Sequence, residues 1–176
     1  MLKLYKKEGD TLRYWVAWVH EGKLTVHSGI VGQTGEEQET PAPADEDPDM
    51  VLAQAAESLV DAGYDEPDPD AMAPLVIQYA LQGKGSGHDF EKRHAVEELL
   101  TDVLGWTGNG EVEGGETQPG RMNVFCHVMD VDVAVRTIAE ALDEEDLMEG
   151  ALIALVREGE EPRVLWPQGH SGPFRV

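Results

Sequence analysis

The sequence predicts an α+β protein made of two modules, and three observations lead to this class. Near the N-terminus, apolar and polar residues alternate with a period of two, which is typical of β-strands. Beyond residue 75, strand-like and helix-like segments follow one another. A proline-rich acidic stretch separates these two regions. We therefore expect a first module over residues 1–66, a linker over 67–74, a second module over 75–168 and a tail over 169–176.

The first module begins with a predicted β-hairpin. Residues 12–19 alternate as a strand, residues 20–23 supply a polar turn, and residues 24–29 form the returning strand. A two-stranded hairpin is barely stable by itself. Residues 3–7 and 31–40 are therefore expected to add strands to it.

A single helix is predicted after this sheet. Asp47 is a suitable N-cap, Pro48 suits the first turn and Gly63 ends the helix. Its apolar positions recur at helical spacing: Leu52, Ala55, Ala56 and Leu59. Residues 40–47 and 65–74 are predicted connectors, because proline at this density disfavours both helix interiors and central strands.

The segment from Leu2 to about Gly63 contains KLYK, then YWVAWV, a short turn and KLTVHSGIVGQTGE, followed by an acidic helix. In this order the motifs resemble those of a WGR domain. Gly29, Gly32 and Gly35 have the spacing that the family uses between its signature and its glycine turn. The resemblance covers roughly a third of the chain and implies a small antiparallel sheet with one helix packed on it.

The Trp-Gly-Arg signature of that family is replaced here by Ser28-Gly29-Ile30. In family members that act at DNA breaks, the tryptophan packs against the nucleic-acid end and the arginine contacts a neighbouring domain. Neither side chain is present, so DNA binding is not carried over to this chain. Trp15 and Trp18 lie on opposite faces of one predicted strand, so one belongs to the core and the other is a candidate binding residue.

The second module has a mixed pattern of strands and helices. Strands are predicted over residues 75–81, 122–129, 151–157 and 163–166, and helices over 88–104 and from Val131 onward. Gly105 is expected to end the first of these helices, and a glycine-rich segment follows over 106–120. The order of strand, helix, strand, strand, helix and strand, with one extra short strand, predicts a ferredoxin-like βαββαβ sheet.

The charge distribution bears on which partners are possible. The chain has a net charge of −22, but residues 1–35 carry five basic and three acidic side chains, a net +2. Residues 36–74 carry 13 acidic and no basic side chains. This balance opposes general nucleic-acid binding, which only residues 1–35 could support. It favours a basic protein partner. A high-salt habitat would also account for the acidity.

Two further regions contain candidate binding residues. Lys84 and Ser86 lie in the turn QGKGSG before a predicted helix, where backbone N–H groups could hold an anion, although the GK[ST] ending of a P-loop is missing. Ser86 and Asp89 have the spacing of a capping pair. Glu111, Glu113 and Glu116 form a carboxylate cluster that could contact a cation, without EF-hand spacing.

No catalytic residue, metal site or cofactor is assigned, because no Gly-x-Ser-x-Gly, HExxH, CxxC or dinucleotide-binding motif occurs. The single cysteine, Cys126, is expected to be a buried small hydrophobe, and the chain to be cytoplasmic. No membrane span is expected. The main hypothesis is a non-enzymatic binding or adaptor protein. The alternatives are a WGR-type nucleic-acid-associated protein and a metal- or nucleotide-dependent enzyme. The oligomeric state stays open.

Overall fold

The computed structural model describes residues 1–176 and consists of two compact units. The first unit contains Met1–Ala71 together with Trp106–Gly108, and the second contains Met72–Gly105 and Asn109–Val176. The chain forms two antiparallel sheets and three α-helices. The predicted α+β class is therefore confirmed.

The first unit contains a four-stranded antiparallel sheet in the order β1-β2-β3-β4. Its strands are β1 Leu2–Glu8, β2 Thr11–His20, β3 Lys23–Ile30 and β4 Glu36–Pro41. The predicted hairpin is β2 and β3, and its turn contains Glu21 and Gly22 with φ of 49° and 74°. Positive φ at two successive residues suits the right-handed twist of the flanking strands. The predicted additional strands are β1 and β4.

Helix α1, Pro48–Asp61, packs on one face of this sheet. The Asp47 carboxylate caps it by accepting a hydrogen bond of 2.9 Å from the backbone N–H of Asp49, and Gly63 follows its end with a φ of +88°. These features confirm the predicted helix. Five buried residues form the core between helix and sheet: Leu4, Trp15, Ala17, Leu52 and Ala56.

The second unit contains a five-stranded antiparallel sheet in the order β6-β7-β5-β8-β9. Its strands are β5 Ala73–Ala80, β6 Gly110–Gln118, β7 Arg121–Val128, β8 Leu152–Leu155 and β9 Arg163–Trp166. Helices α2, Gly87–Trp106, and α3, Val131–Glu144, pack on the same face of it. Their buried residues include Val96, Leu100 and Leu104 of α2 and Ala134, Ile138 and Leu142 of α3. These side chains and alternate residues of β5, β7 and β8 form one continuous core.

The region after α2 differs from the prediction at its helix end and adds bounds for one strand. Gly105 does not end the helix, because a glycine inside a helix is tolerated at a modest cost. The turn comes at Gly108, with a φ of +62°, where the N–H of Asn109 donates to the Leu104 carbonyl at 3.0 Å. The glycine-rich segment over 106–120, for which no strand bounds were predicted although the βαββαβ order requires a strand there, contains strand β6. A side chain at Gly115 would overlap Glu97, so glycine in this strand allows α2 to approach.

Two buried groups complete the second core. Asn109 is fully buried, and its side chain donates to the Asp130 carbonyl at 3.0 Å and accepts from the Asp130 N–H at 2.8 Å. Asp130 in turn caps α3 by accepting from the N–H of Val133 at 3.0 Å. Cys126 is buried as expected, and its burial raises the pKa of the thiol to about 12. None of the helices has the length and apolar character that crossing a membrane requires.

Candidate functional site

The acidic side chains of residues 36–74 dominate the surface of the first unit. All 13 belong to exposed residues. Three of them, Glu36, Glu37 and Glu39, lie on strand β4, and we call this strand with its three carboxylates the acidic edge. Proline-rich connectors keep many of the remaining acids in turns, where the side chains reach solvent.

The acidic edge is an open strand. β4 is the outermost strand of its sheet and pairs only with β3, and all six of its residues are exposed. The outer side of such a strand presents unpaired backbone N–H and C=O groups. Lys23 Nζ lies 2.7 Å from Glu39 Oε2, and this contact raises the pKa of the lysine. The edge therefore combines backbone hydrogen-bonding groups with carboxylates.

Tyr14 on β2 and His27 on β3 are buried neighbours in the same sheet as the acidic edge. Tyr14 Oη donates to the Trp106 carbonyl at 3.1 Å and lies 3.3 Å from His27 Nε2. Burial raises the pKa of Tyr14 to about 12. Burial also lowers the pKa of His27, although Glu37 on the paired strand partly opposes this effect. Both side chains are therefore neutral at pH 7, and neither is poised as a charged catalytic group.

The glycines of the WGR-like pattern pack against Tyr14. A side chain at Gly35 would overlap the tyrosine hydroxyl, and one at Gly29 would lie 3.2 Å from it. A side chain at Gly108 would overlap the aromatic ring itself. Close packing around one buried tyrosine is thus a sufficient physical reason for glycine at these positions.

Residues 106–108 form part of the first unit, and all three of their carbonyls accept hydrogen bonds there. Trp106 accepts from Tyr14 and from the N–H of Gly35, the latter at 3.4 Å. Thr107 accepts from the N–H of Gly32 at 2.9 Å, and Gly108 accepts from Tyr5 Oη at 2.9 Å. Sequence reasoning missed this tripeptide, because its partners lie more than 70 residues away and no local pattern marks it.

The residues at the signature position of the resemblance line a small groove. Ser28, Gly29 and Ile30 contribute to a groove of about 390 Å³ in the first unit, beside Trp15 and Tyr64. Trp15 itself is a core residue with 7% exposure. Trp18 lies on the opposite face of β2 and is half-buried. The two tryptophans therefore do not form one surface.

Lys84 and Ser86 lie in the turn before α2. Asp89 Oδ2 accepts hydrogen bonds of 2.7 Å from both the N–H and the hydroxyl of Ser86, and Ser86 Oγ accepts from the N–H of Asp89 at 3.3 Å. The expected capping pair is confirmed. These bonds lower the pKa of Asp89. A carboxylate therefore already occupies the start of this helix, while Lys84 is exposed beside it.

The three glutamates of the predicted carboxylate cluster have different neighbours. Glu111 pairs with His127 in the register, and Glu113 Oε2 lies 3.7 Å from His127 Nδ1 beside a bulge in β6. Glu116 instead accepts from Gln118 Nε2 at 2.6 Å and from Asn123 Nδ2 at 3.1 Å. No group of three or more histidine, cysteine or acidic side chains is arranged to hold a metal ion.

In comparisons with known proteins, no family model, curated protein or solved structure matches the chain.

Proposed function

We propose that this protein is a binding protein that engages a basic segment of a protein partner at the acidic edge. The observation that carries the proposal is the combination of an unpaired strand edge and three carboxylates on the same six residues. An extended peptide can extend such a sheet by backbone hydrogen bonds, and its alternate side chains then provide specificity.

Charge supports a basic partner over a neutral one. The acidic edge is part of a stretch with 13 acidic and no basic residues, all of whose acids belong to exposed residues. The field of such a surface accelerates encounter with a basic partner and disfavours acidic ones. Charges on an edge strand also discourage self-association of sheets. A basic strand is the one kind of partner for which the same charges become attractive.

The architecture supports two finer assignments within this proposal. A four-stranded antiparallel sheet followed by a helix is compatible with a WGR-type first unit. In the second unit, numbering the strands of the βαββαβ core from one to four gives the sheet order 2-3-1-4, with β9 added at the edge. This order and two helices on one face support a ferredoxin-like topology, which hosts many unrelated functions.

The test uses a fluorescein-labelled ten-residue peptide of alternating lysine and threonine. We expect the full-length protein to bind it at low salt and to bind it more weakly as salt rises. Two versions of the peptide, N-methylated at the odd or at the even residues, separate strand addition from plain charge attraction. One of the two versions should lose binding, because N-methylation along the edge that faces β4 removes the donors.

The matched protein variants carry the same change in charge. Glu36→Gln/Glu37→Gln/Glu39→Gln should weaken peptide binding about tenfold, whereas Glu158→Gln/Glu160→Gln/Glu161→Gln in an exposed loop of the second unit should leave it nearly unchanged. Equal binding of all peptide versions, or equal effects of both triple variants, would reject strand addition. Binding of nicked or single-stranded DNA without binding of the peptide would favour a nucleic-acid role instead.

A further inference from the structure

A groove of about 750 Å³ lies between α3 and β9 in the second unit. Its floor is apolar and consists of Val135, Ala139, Met148, Leu165 and Trp166. Four of these side chains pack against the core yet stay half-buried, and β9 is the edge strand of the sheet. The groove therefore offers apolar surface that the chain itself does not cover.

The rim of this groove has a defined order of charges along α3. Asp132, Arg136 and Glu140 are exposed and follow one another at i, i+4 spacing, and Asp143 comes one turn later. From Asp132 to Asp143 the helix rises about 16 Å. The rim is thus negative at both ends and positive between them.

We propose that this groove is a docking site for a three-turn amphipathic helix of a protein partner. Such a helix is also about 16 Å long, and its apolar stripe would cover the floor of the groove. Its rise per residue equals that of α3, so its charges can keep register with the rim over the whole length. The complementary helix carries basic residues in its first and last turns and an acidic residue in its middle turn.

This site is independent of the function proposed for the acidic edge, because it uses only residues of the second unit. The partner need not have a net positive charge. Its docking helix needs only an apolar stripe and charges in the order positive, negative, positive along its length.

The experiment uses the full-length protein and fluorescein-labelled 15-residue helical peptides, followed by fluorescence anisotropy. The first peptide has a leucine stripe, lysines in the outer turns and a glutamate in the middle turn. The second has the same stripe with all charges exchanged, and the third keeps the charges of the first with serine in place of leucine. We expect the first peptide to bind at least tenfold more tightly than either of the others.

The matched variant is Glu140→Lys/Asp143→Lys, which reverses one end of the rim at exposed residues and leaves the floor intact. It should weaken binding of the first peptide about tenfold and strengthen binding of the charge-exchanged peptide. The triple variant of the acidic edge should leave binding of these helical peptides unchanged, which separates the two proposals.

Three results would overturn the proposal. The first is equal binding of the first and the charge-exchanged peptides. The second is an unchanged peptide preference in the Glu140→Lys/Asp143→Lys variant, given that its circular dichroism matches that of the parent protein. The third is a dimer, seen in sedimentation, that the rim variant dissociates, because the groove would then be occupied by a second copy of this chain.

Discussion

The two units cover their sheets in different ways. In the first unit one helix packs on the sheet, and five buried residues form that core. In the second unit two helices share one face, and 18 buried residues form a single cluster. Since stabilisation by burial grows with the apolar area removed from water, the second core contributes the larger share of hydrophobic free energy.

In the first unit, hydrogen-bonded groups pack closely on the face of the sheet opposite α1. Tyr14, His27 and the carbonyls of residues 106–108 meet there through hydrogen bonds, and glycines make room for the tyrosine. The stability of such an arrangement depends more on hydrogen-bond and packing geometry than on the apolar area buried. The second unit should therefore be the more sensitive to lost side-chain volume, and the first unit the more sensitive to added volume.

The largest effect is expected from opening a cavity in the second core. Leu100→Ala, at a fully buried position of α2, should lower the free energy of unfolding by about 4 kcal/mol. Leu52→Ala in α1 should cost about 2 kcal/mol, because its smaller core can relax more easily. Urea unfolding measures both values, and hydrogen exchange of β7 and β2 amides reports each unit separately. A larger loss for Leu52→Ala would contradict the comparison.

Adding a methyl group should instead destabilise the first unit more than the second. Gly108→Ala should destabilise the first unit by about 3 kcal/mol, since it combines a left-handed φ of +62° with overlap of the Tyr14 ring. The control is Gly120→Ala in the second unit, where φ is +92° and the space is open, with an expected cost of about 1 kcal/mol.

A double variant tests whether overlap with the Tyr14 ring causes the loss of stability in Gly108→Ala. Replacing Tyr14 by Ala removes the ring that the Gly108→Ala methyl group would meet, so the double variant should lose less stability than the sum of the single variants. Thermal unfolding followed by circular dichroism measures all three proteins. Additive losses would mean that the overlap with Tyr14 does not determine the cost.

Local patterns predicted much of the fold, because their causes are local. The hairpin of β2 and β3, the Asp47 cap of α1 and the Ser86–Asp89 capping pair depend on neighbouring residues, and all three are present. Strand β6 was not assigned by residue, because one of its glycines, Gly115, leaves room for the side chains of Arg93 and Glu97 of α2. That cause lies about 20 residues away in the sequence.

The candidate sites were harder to predict for the same reason. The acidic stretch was visible as composition, but only strand pairing places β4 at the edge of its sheet. The groove beside α3 needs β9, which joins it across a distance of more than 20 residues. A partial signal did exist in the exposed series Asp132, Arg136, Glu140, although charges at this spacing also occur on ordinary solvated helices.

The smallest effect concerns the protonation of His27. Burial holds the pKa of His27 below the value of about 6.5 that it has in an unfolded chain. The unfolded state therefore binds a proton at a higher pH than the folded state does. The stability that this histidine contributes is present above pH 6.5 and is lost as the pH falls through the folded pKa. Glu37 opposes this effect, so the loss should be modest.

The measurement compares the parent protein with His27→Gln between pH 7.5 and pH 5. The parent should show a steeper loss of protection at β2 amides by hydrogen exchange, whereas β7 amides in the second unit should change equally in both proteins. The Glu37→Gln variant should steepen the loss further, because it removes the charge that favours the protonated histidine. A parallel pH profile for the parent and His27→Gln would instead mean that the Tyr14–His27 pair is insensitive to protonation, and that the geometric packing around Tyr14 alone distinguishes the first unit from the second.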